Sequence, residues 1–412
     1  MPDTTPFIAA ARQALARNGL KALELCGRTL LPIVQGGMGV GVSAHRLAGS
    51  VAALDGVGTL SSVDLRRHHP DLMASTHDMP PGPALKEAIN AANLTALRRE
   101  IRAARELAQG RGLLAVNVMR AVSEYAASVT AALEAGIDAV VVGAGLPLDL
   151  PDLAREHPKA ALIPILSDAR GVSLVVKKWE RKQRLPDAIV IEHPRYAGGH
   201  LGAAKIADVK DPRFDFENVL PAVRSFLREA GIERRVPLIA AGGIRSFEDI
   251  QRLQGLGADA VQLGTPFVAT EECDADPAFK RVLAEARDED IVELTSVAGL
   301  PARAVLTPWM RTYLKVEAKL QAVAHKKPRC VETFDCLGQC GLRDGLATWG
   351  QFCIDQRLAL AMKGNVAKGL FFRGAGALPF GTHIATVRQL IERLLTPGIP
   401  LGVPPQAEVV PA

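Results

Sequence analysis

Across residues 31–270 two hydrophobic patterns alternate. Short, mostly apolar runs rich in Val, Ile, Leu and Ala fall at 31–35, 57–60, 113–117, 139–142, 161–166, 187–192, 236–240 and 258–263. Each is too short for a stable helix and is bounded by Gly, Pro or small polar residues, the pattern of strands buried on both faces. Between them lie longer stretches with helical spacing, at about 44–54, 84–109, up to Ala135, 169–184 and 216–230, with Ser43 and Ser246 placed to cap helices. Strand followed by helix or helical start, eight times at similar length, predicts an α/β fold of the (β/α)8 TIM-barrel type. An open doubly wound sheet uses the same units, but eight even repeats favour closure into a ring.

Outside the repeat the pattern changes. Residues 1–30 read as an amphipathic lead-in helix. A long polar loop after the second strand carries His68, His69, His77 and the cluster Pro80, Pro81, Gly82, Pro83, and reads as a solvent-facing lid. In residues 271–412 helical patterns dominate, with a last helix at roughly 384–395 ahead of Pro397 and a proline-rich tail. This predicts a helical C-terminal extension packed on the barrel, not a second catalytic domain. The expected division is therefore 1–30 lead-in, 31–270 barrel and 271–412 extension.

Composition narrows the classes. Hydrophobic residues make up 48% of the 412, which argues against disorder, and aromatics only 4%, so the core must be built from Ala, Val, Leu and Ile. The 49 basic and 44 acidic residues leave a net charge of +5, too balanced for a nucleic-acid surface. The densest basic run, 177–184, falls on a predicted helix and reads as a solvated face. No apolar run reaches the length of a membrane span, and the first residues lack a signal-peptide core. Six cysteines in a chain this long do not make a disulfide scaffold, so a cytoplasmic, reduced protein is expected. Four of them, Cys330, Cys336, Cys340 and Cys353, are spaced C-x5-C-x3-C-x12-C. Four close thiols are able to hold zinc or an iron–sulfur cluster. The spacing fits no common pattern, however, so buried reduced thiols are preferred, no metal ligand is assigned, and the metal question stays open.

In a barrel, functional groups collect where the strands end. Glycine-rich turns close the first, fourth, sixth, seventh and eighth predicted strands, the last two as Gly242-Gly243 and Gly264-Thr265. That is where this fold holds a phosphate, with backbone N–H groups aimed at the anion. After the sixth strand, His200 lies among Gly198, Gly199 and Gly202, which remove bulk and let a ligand approach. An imidazole on such a loop is expected to titrate near neutral pH. The P-loop pattern G-x-x-x-x-G-K-[ST] is missing, and no G-x-G-x-x-G follows a strand, so neither nucleoside triphosphate hydrolysis nor a separate dinucleotide domain is indicated.

Pro32-Ile-Val-Gln-Gly-Gly-Met38, Ala197-Gly-Gly-His200, Ala241-Gly-Gly-Ile244 and Leu263-Gly-Thr-Pro-Phe267 stand in the order and spacing of the nitronate monooxygenases, formerly 2-nitropropane dioxygenases. Residues 30–270 resemble that family, whose superfamily includes NAD(P)H:quinone reductases and FMN-dependent enoyl-acyl-carrier-protein reductases. The resemblance implies FMN held non-covalently at the barrel mouth. Its phosphate would rest on Gly242, Gly243, Gly264 and Thr265, and its ring against the backbone of Gly37, Met38 and Gly39. Asn117, Met119 and Gly199 would lie near the ring, and His200 would be the active-site histidine. Some members carry a lysine on the fifth strand that approaches the flavin; Leu162-Ile-Pro-Ile-Leu-Ser167 has none here.

The implied activity is oxidation of alkyl nitronates, with molecular oxygen reoxidising the flavin. His200 would orient the nitro group or take the α proton of a neutral nitroalkane. The alternative is a reductase of a quinone or an enoyl thioester, with NAD(P)H docking transiently as co-substrate. A barrel that binds a phosphorylated ligand without redox chemistry is the non-enzymatic reading. The expected partners are a small-molecule substrate and oxygen, with neither nucleic acid nor membrane. The sequence does not specify the physiological substrate, NADH against NADPH, or the oligomeric state, for which a homo-oligomer is one option.

Overall fold

In the computed structural model, which describes residues 3–326 and 330–405, a helix at Thr5–Arg17 runs into a tight hairpin, β1 (Leu23–Leu25) and β2 (Arg28–Leu30). The start of the lead-in segment and the end of the proline-rich tail lie outside the described residues. The lead-in is thus half helix and half hairpin, where one helix was expected. Gly19 and Gly27, both at positive φ, end the helix and turn the hairpin. Leu23, Leu25 and Leu30 pack into the inward-facing side chains of the barrel and close its lower end.

The barrel follows as predicted. Eight parallel strands close in chain order: β3 (Ile33–Gln35), β4 (Val57–Ser61), β5 (Leu113–Met119), β6 (Ala139–Gly143), β7 (Ala161–Leu166), β8 (Ile189–Glu192), then, past the short β9 (Gly199–His200) outside the ring, β10 (Leu238–Ala241) and β11 (Ala260–Leu263), which returns to β3. Period-two alternation divides their side chains. Val57, Leu113, Ala115, Val141, Ile163, Val190 and Ile239 fill the interior, while Leu60, Leu114, Val140, Leu162, Ile191 and Leu238 face the surrounding helices. Small and β-branched side chains suffice for both layers, which is why so few aromatics are needed. Leu113 is fully buried, and its truncation to Ala is expected to cost about 2–5 kcal/mol.

The seam between β3 and β4 has a single register pair, Val34 with Val57. The fully buried Gln35 compensates: its Oε1 accepts from Thr59 N–H at 2.9 Å and its Nε2 donates to Thr59 O at 3.1 Å. Capping was half legible. Ser246 begins Phe247–Gly255 with a capping box. Ser43 does not cap His45–Ala53; its hydroxyl accepts from Met38 N–H at 2.9 Å. Asp274 takes that role, accepting from the N–H groups of Ala44, Arg46 and Leu47.

The polar loop is more ordered than a solvent-facing lid. It forms a 3-10 turn, Leu65–His68, and a helix, Pro70–His77. His68 Nε2 meets the Gly41 carbonyl at 2.8 Å, and His69 joins His45 on the buried Glu100, at 3.0 and 2.7 Å. Of the three histidines only His77 stands in solvent. The extension carries helices at Pro277–Glu285, Pro308–Ala322, Ile354–Met362 and Val387–Leu395, and beside these dominant helices a hairpin, β12 (Ile291–Thr295) and β13 (Pro301–Val305). β13 pairs on its other edge with β9, so three antiparallel strands stand over the barrel mouth.

Candidate active site

Followed upward, the inward positions of four strands gain polar groups near their ends, with Met119 as an apolar last residue of β5. Val57 leads to Ser61, Leu113 and Ala115 to Asn117 and Met119, Val190 to Glu192, and Ala260 to Gln262. These ends floor a cavity of about 290 Å³ at the barrel mouth. All eleven residues singled out in the sequence line it. Gly37, Met38 and Gly39 come from the turn after β3, Asn117 and Met119 from β5, Gly199 and His200 from β9, Gly242 and Gly243 from the turn after β10, and Gly264 and Thr265 from the turn after β11. Gly37 is required there because a Cβ would overlap Asn117. Gly243 sits at φ +76 with Tyr196 2.9 Å from where a Cβ would stand.

One corner is built for an anion. The N–H groups of Gly243, Gly264 and Thr265 meet no acceptor among the described residues. Two guanidiniums lie beside them. Arg245 Nε donates to Gly243 O at 3.2 Å, and the buried Arg373 donates to Leu283 O and Gly374 O, each at 2.8 Å. Neither arginine has a salt bridge among the described residues, and burial lowers the Arg373 pKa, against the pull of Asp288 and with Arg245 adding its repulsion. Gly374 N–H donates to Thr265 Oγ1 at 2.9 Å, tying the extension to the same turn.

His200 is fixed more firmly than a loop histidine would be. Gly199 and His200 pair with Arg303 and Ala302 of β13, and His200 Nε2 lies 3.0 Å from Ser296 Oγ in the β12–β13 turn. Its ring sits 6.0 Å from that of Phe372. Burial pushes its pKa down from 6.5 to about 4, so it is neutral near pH 7 and does not titrate there as expected from the sequence. Burial acts oppositely on Glu192, whose carboxyl rises from 4.5 to about 7.

The extension supplies the roof, with Leu337, Ile354, Leu358 and Phe372 as apolar lining. Asp355, also on the lining, is held by Arg67 at 2.7 Å; Arg67 in turn binds Asp64, and Asp355 Oδ1 is left without a partner. Burial and Asp64 raise the Asp355 carboxyl against the pull of Arg67. Cys336 borders the cavity as a free thiol whose pKa burial raises well above 9, and burial lifts Cys353 to about 12. Among the described residues no group of three or more Cys, His, Asp and Glu is arranged to hold a metal ion. No helix among them is long and apolar enough to cross a membrane.

Comparison with known proteins places this architecture. The family model for nitronate monooxygenase matches residues 26–397. The chain belongs to the nitronate monooxygenase family. A protein of Staphylococcus saprophyticus named "Probable nitronate monooxygenase" is 26% identical over 174 residues, 42% of this chain and 45% of the relative. The matched segments thus span less than half the length of the curated relatives. Among solved structures, FabK from Thermotoga maritima superposes with a TM-score of 0.61 at 23% identity, covering 88% of this chain and 91% of its own. The nitroalkane oxidase of Streptomyces ansochromogenes gives 0.58 at 20% identity, covering 88% and 94%. Both likenesses concern the fold.

Within this family frame, four cavity groups and Ser296, which braces His200 from behind, escaped the sequence reading. Arg245 follows the Gly242-Gly243 turn by two residues and was available as a cation beside a phosphate signal. Arg373 lies in the glycine-containing stretch Phe372-Arg373-Gly374-Ala375-Gly376 of the extension, whose approach to the barrel only the fold reveals. Ser296 and Asp355 are likewise brought in from far along the chain. Glu192 was visible as the one acid ending an apolar strand run, but its direction depends on the register of β8.

Proposed function

We propose that the protein is an FMN-dependent oxidoreductase that oxidises alkyl nitronates with molecular oxygen. FMN, when bound, supplies the two-electron chemistry between the nitronate and oxygen. The chain's residues do the rest. The N–H groups of Gly243, Gly264 and Thr265 hold the phosphate, and Arg245 and Arg373 balance its charge. Each hydrogen bond to a charged group contributes about 1.5–3 kcal/mol. The backbone of Gly37, Met38 and Gly39 supports the ring, bordered by Asn117, Met119 and Gly199. His200, neutral and braced by Ser296, positions an oxygen of the nitro group. The apolar roof of Leu337, Ile354, Leu358 and Phe372 keeps water from the substrate.

The observation that carries this reading is the corner where three free N–H groups and two guanidiniums without carboxylate partners converge, in a cavity shared with a neutral imidazole. The residues present fit a phosphate-bearing cofactor there. The test is to load purified protein with FMN and compare its anaerobic reduction by an alkyl nitronate, NADH and NADPH. Rapid bleaching by the nitronate, reversed by air, is expected. Bleaching by NADH or NADPH alone would move the assignment to a reductase, and failure to bind FMN would overturn it altogether.

A further inference from the structure

The cavity contains a carboxyl that the preceding chemistry leaves idle. Glu192 ends β8 at an inward position above Ala188 and Val190, so its side chain points up the barrel interior into the cavity. It has no salt bridge and no side-chain hydrogen bond among the described residues, and burial alone sets its pKa. Ser167 Oγ and Glu192 Oε2 both crowd the open side of Gly202. The neighbouring floor groups Ser61, Asn117 and Gln262 carry no charge. Of the other titratable groups of the cavity, Tyr196 lies edge-on to His193 with ring centroids 4.6 Å apart, and the rest are engaged or inert. Asp355 is on Arg67, His200 on Ser296, Arg245 and Arg373 on backbone carbonyls, and Cys336 is a buried neutral thiol. His193, the next residue, alternates away and pairs with Asp215 at 3.3 Å. A partly buried carboxyl without a partner is costly, and its place at a strand end over the barrel is where reacting groups belong.

We propose that Glu192 is the general base that lets this cavity accept neutral nitroalkanes as well as nitronates, an inference that rests on the nitronate reading above. Its carboxylate removes the α proton. The C–H bond breaks, its electron pair moves into the nitro group to give the nitronate anion, and an O–H bond forms on Glu192. The carboxyl then releases that proton to water and is restored; no oxidant is consumed in the step. With a pKa raised to about 7, this carboxylate is a far stronger base than His200 at about 4, and it is poised for the pH at which it must act.

The experiment uses FMN-loaded protein, with nitroethane and preformed ethyl nitronate as probes of anaerobic flavin reduction. For Glu192→Gln, reduction by nitroethane should fall by about 10²–10⁴, while reduction by ethyl nitronate falls far less. The wild-type rate with nitroethane should rise with pH through about 7, a limb lost in Glu192→Gln, kept in His200→Asn and partly rescued by Glu192→Asp. Infrared titration of the cofactor-free protein gives a readout independent of turnover: two carboxyls, Glu192 and Asp355, ionise near 7 in the wild type, and in Glu192→Gln the absorbance change in that range should fall to the share of Asp355 alone. Wild-type reduction by nitroethane in Glu192→Gln, survival of the pH limb, or an infrared titration identical to that of the wild type would overturn the assignment. If ethyl nitronate fails to reduce even wild-type flavin, the nitronate reading itself falls, and this inference with it.

Discussion

The barrel and the extension line the same cavity, but the barrel positions its residues by period and the extension by long ties. Asn117, Glu192 and Gln262 stand where they do because every second residue of a strand faces inward, over an interior that is fully packed. The extension has no such frame. Phe372, Arg373 and Gly374 are held by Ala304 bridging Phe372, by Gly374 N–H on Thr265 and by Ala375 N–H on the Tyr196 carbonyl. Leu337 is held through a bridge to Val122, and Asp355 through Arg67. The barrel half should therefore tolerate loss of any one contact, while the roof should loosen when a single tie is cut.

The most damaging cut is Arg67→Ala. Arg67 joins Asp64 of the barrel side to Asp355 of the roof, and both acids are almost fully buried. Removing the cation leaves the buried Asp355 carboxylate unpaired, while Asp64 keeps Arg66 at 2.9 Å, a change expected to cost about 3–5 kcal/mol. Urea denaturation should show that loss, and limited proteolysis should show new cleavage around 330–355. The control is Lys86→Ala, which breaks the partly exposed pair with Asp335 at 3.0 Å and should cost at most about 1 kcal/mol. Equal losses in the two variants would erase the distinction between ties.

Next comes Gly264→Val, aimed at the anion corner. Position 264 has negative φ, and a Cβ there meets nothing nearer than Met38 Sδ at 3.7 Å, so the fold should hold. The new side chain fills the space an FMN phosphate would take. Displacing two hydrogen bonds to a charged group, at about 1.5–3 kcal/mol each, weakens binding by a hundredfold or more. Fluorescence titration with FMN, beside the melting curve of the cofactor-free variant, checks both parts. Gly243→Val is the poorer probe, because positive φ and Tyr196 would strain the backbone as well.

A smaller effect is expected for His200→Asn. If His200 only positions the nitro group, the loss is that of one hydrogen bond, about 1–1.5 kcal/mol or roughly tenfold. It should be the same for nitroethane and ethyl nitronate, with FMN content unchanged. A much larger loss on nitroethane alone would return the base role to His200 and take it from Glu192.

The same contrast explains what could be read from the sequence. Eight strands, the glycine turns and the cavity-lining members of both were legible because a short period repeats within each element. The roof was not. The His200–Ser296 contact spans 96 residues and the Gly374–Thr265 contact 109, and no local pattern encodes them. The hairpin of β12 and β13 was overlooked because its partner β9 is two residues long and reads as loop. His200 was found as a residue but misjudged as a titrating group, because burial under β13 and Phe372 is a property of the assembled roof.

That burial makes a last, subtler prediction about stability. His200 binds a proton at 6.5 in the unfolded chain but only at about 4 in the folded one. Between those values the unfolded state carries the extra proton, so this residue makes stability fall as pH drops. Glu192 has the opposite sign: folded, it keeps its proton up to about 7, against 4.5 unfolded. Between those values the folded state carries the extra proton, so this residue makes stability fall as pH rises. The two windows overlap from about 4.5 to 6.5, and there the slopes oppose each other and largely cancel. Each single variant should expose the other group. Relative to wild type, cofactor-free Glu192→Gln should gain stability with rising pH across the overlap, and His200→Asn should lose it. Other titrating groups such as Asp355 and His193 are common to all three proteins and drop out of the differences. Parallel stability profiles for wild type and both variants would mean that neither group has its proton affinity shifted by folding.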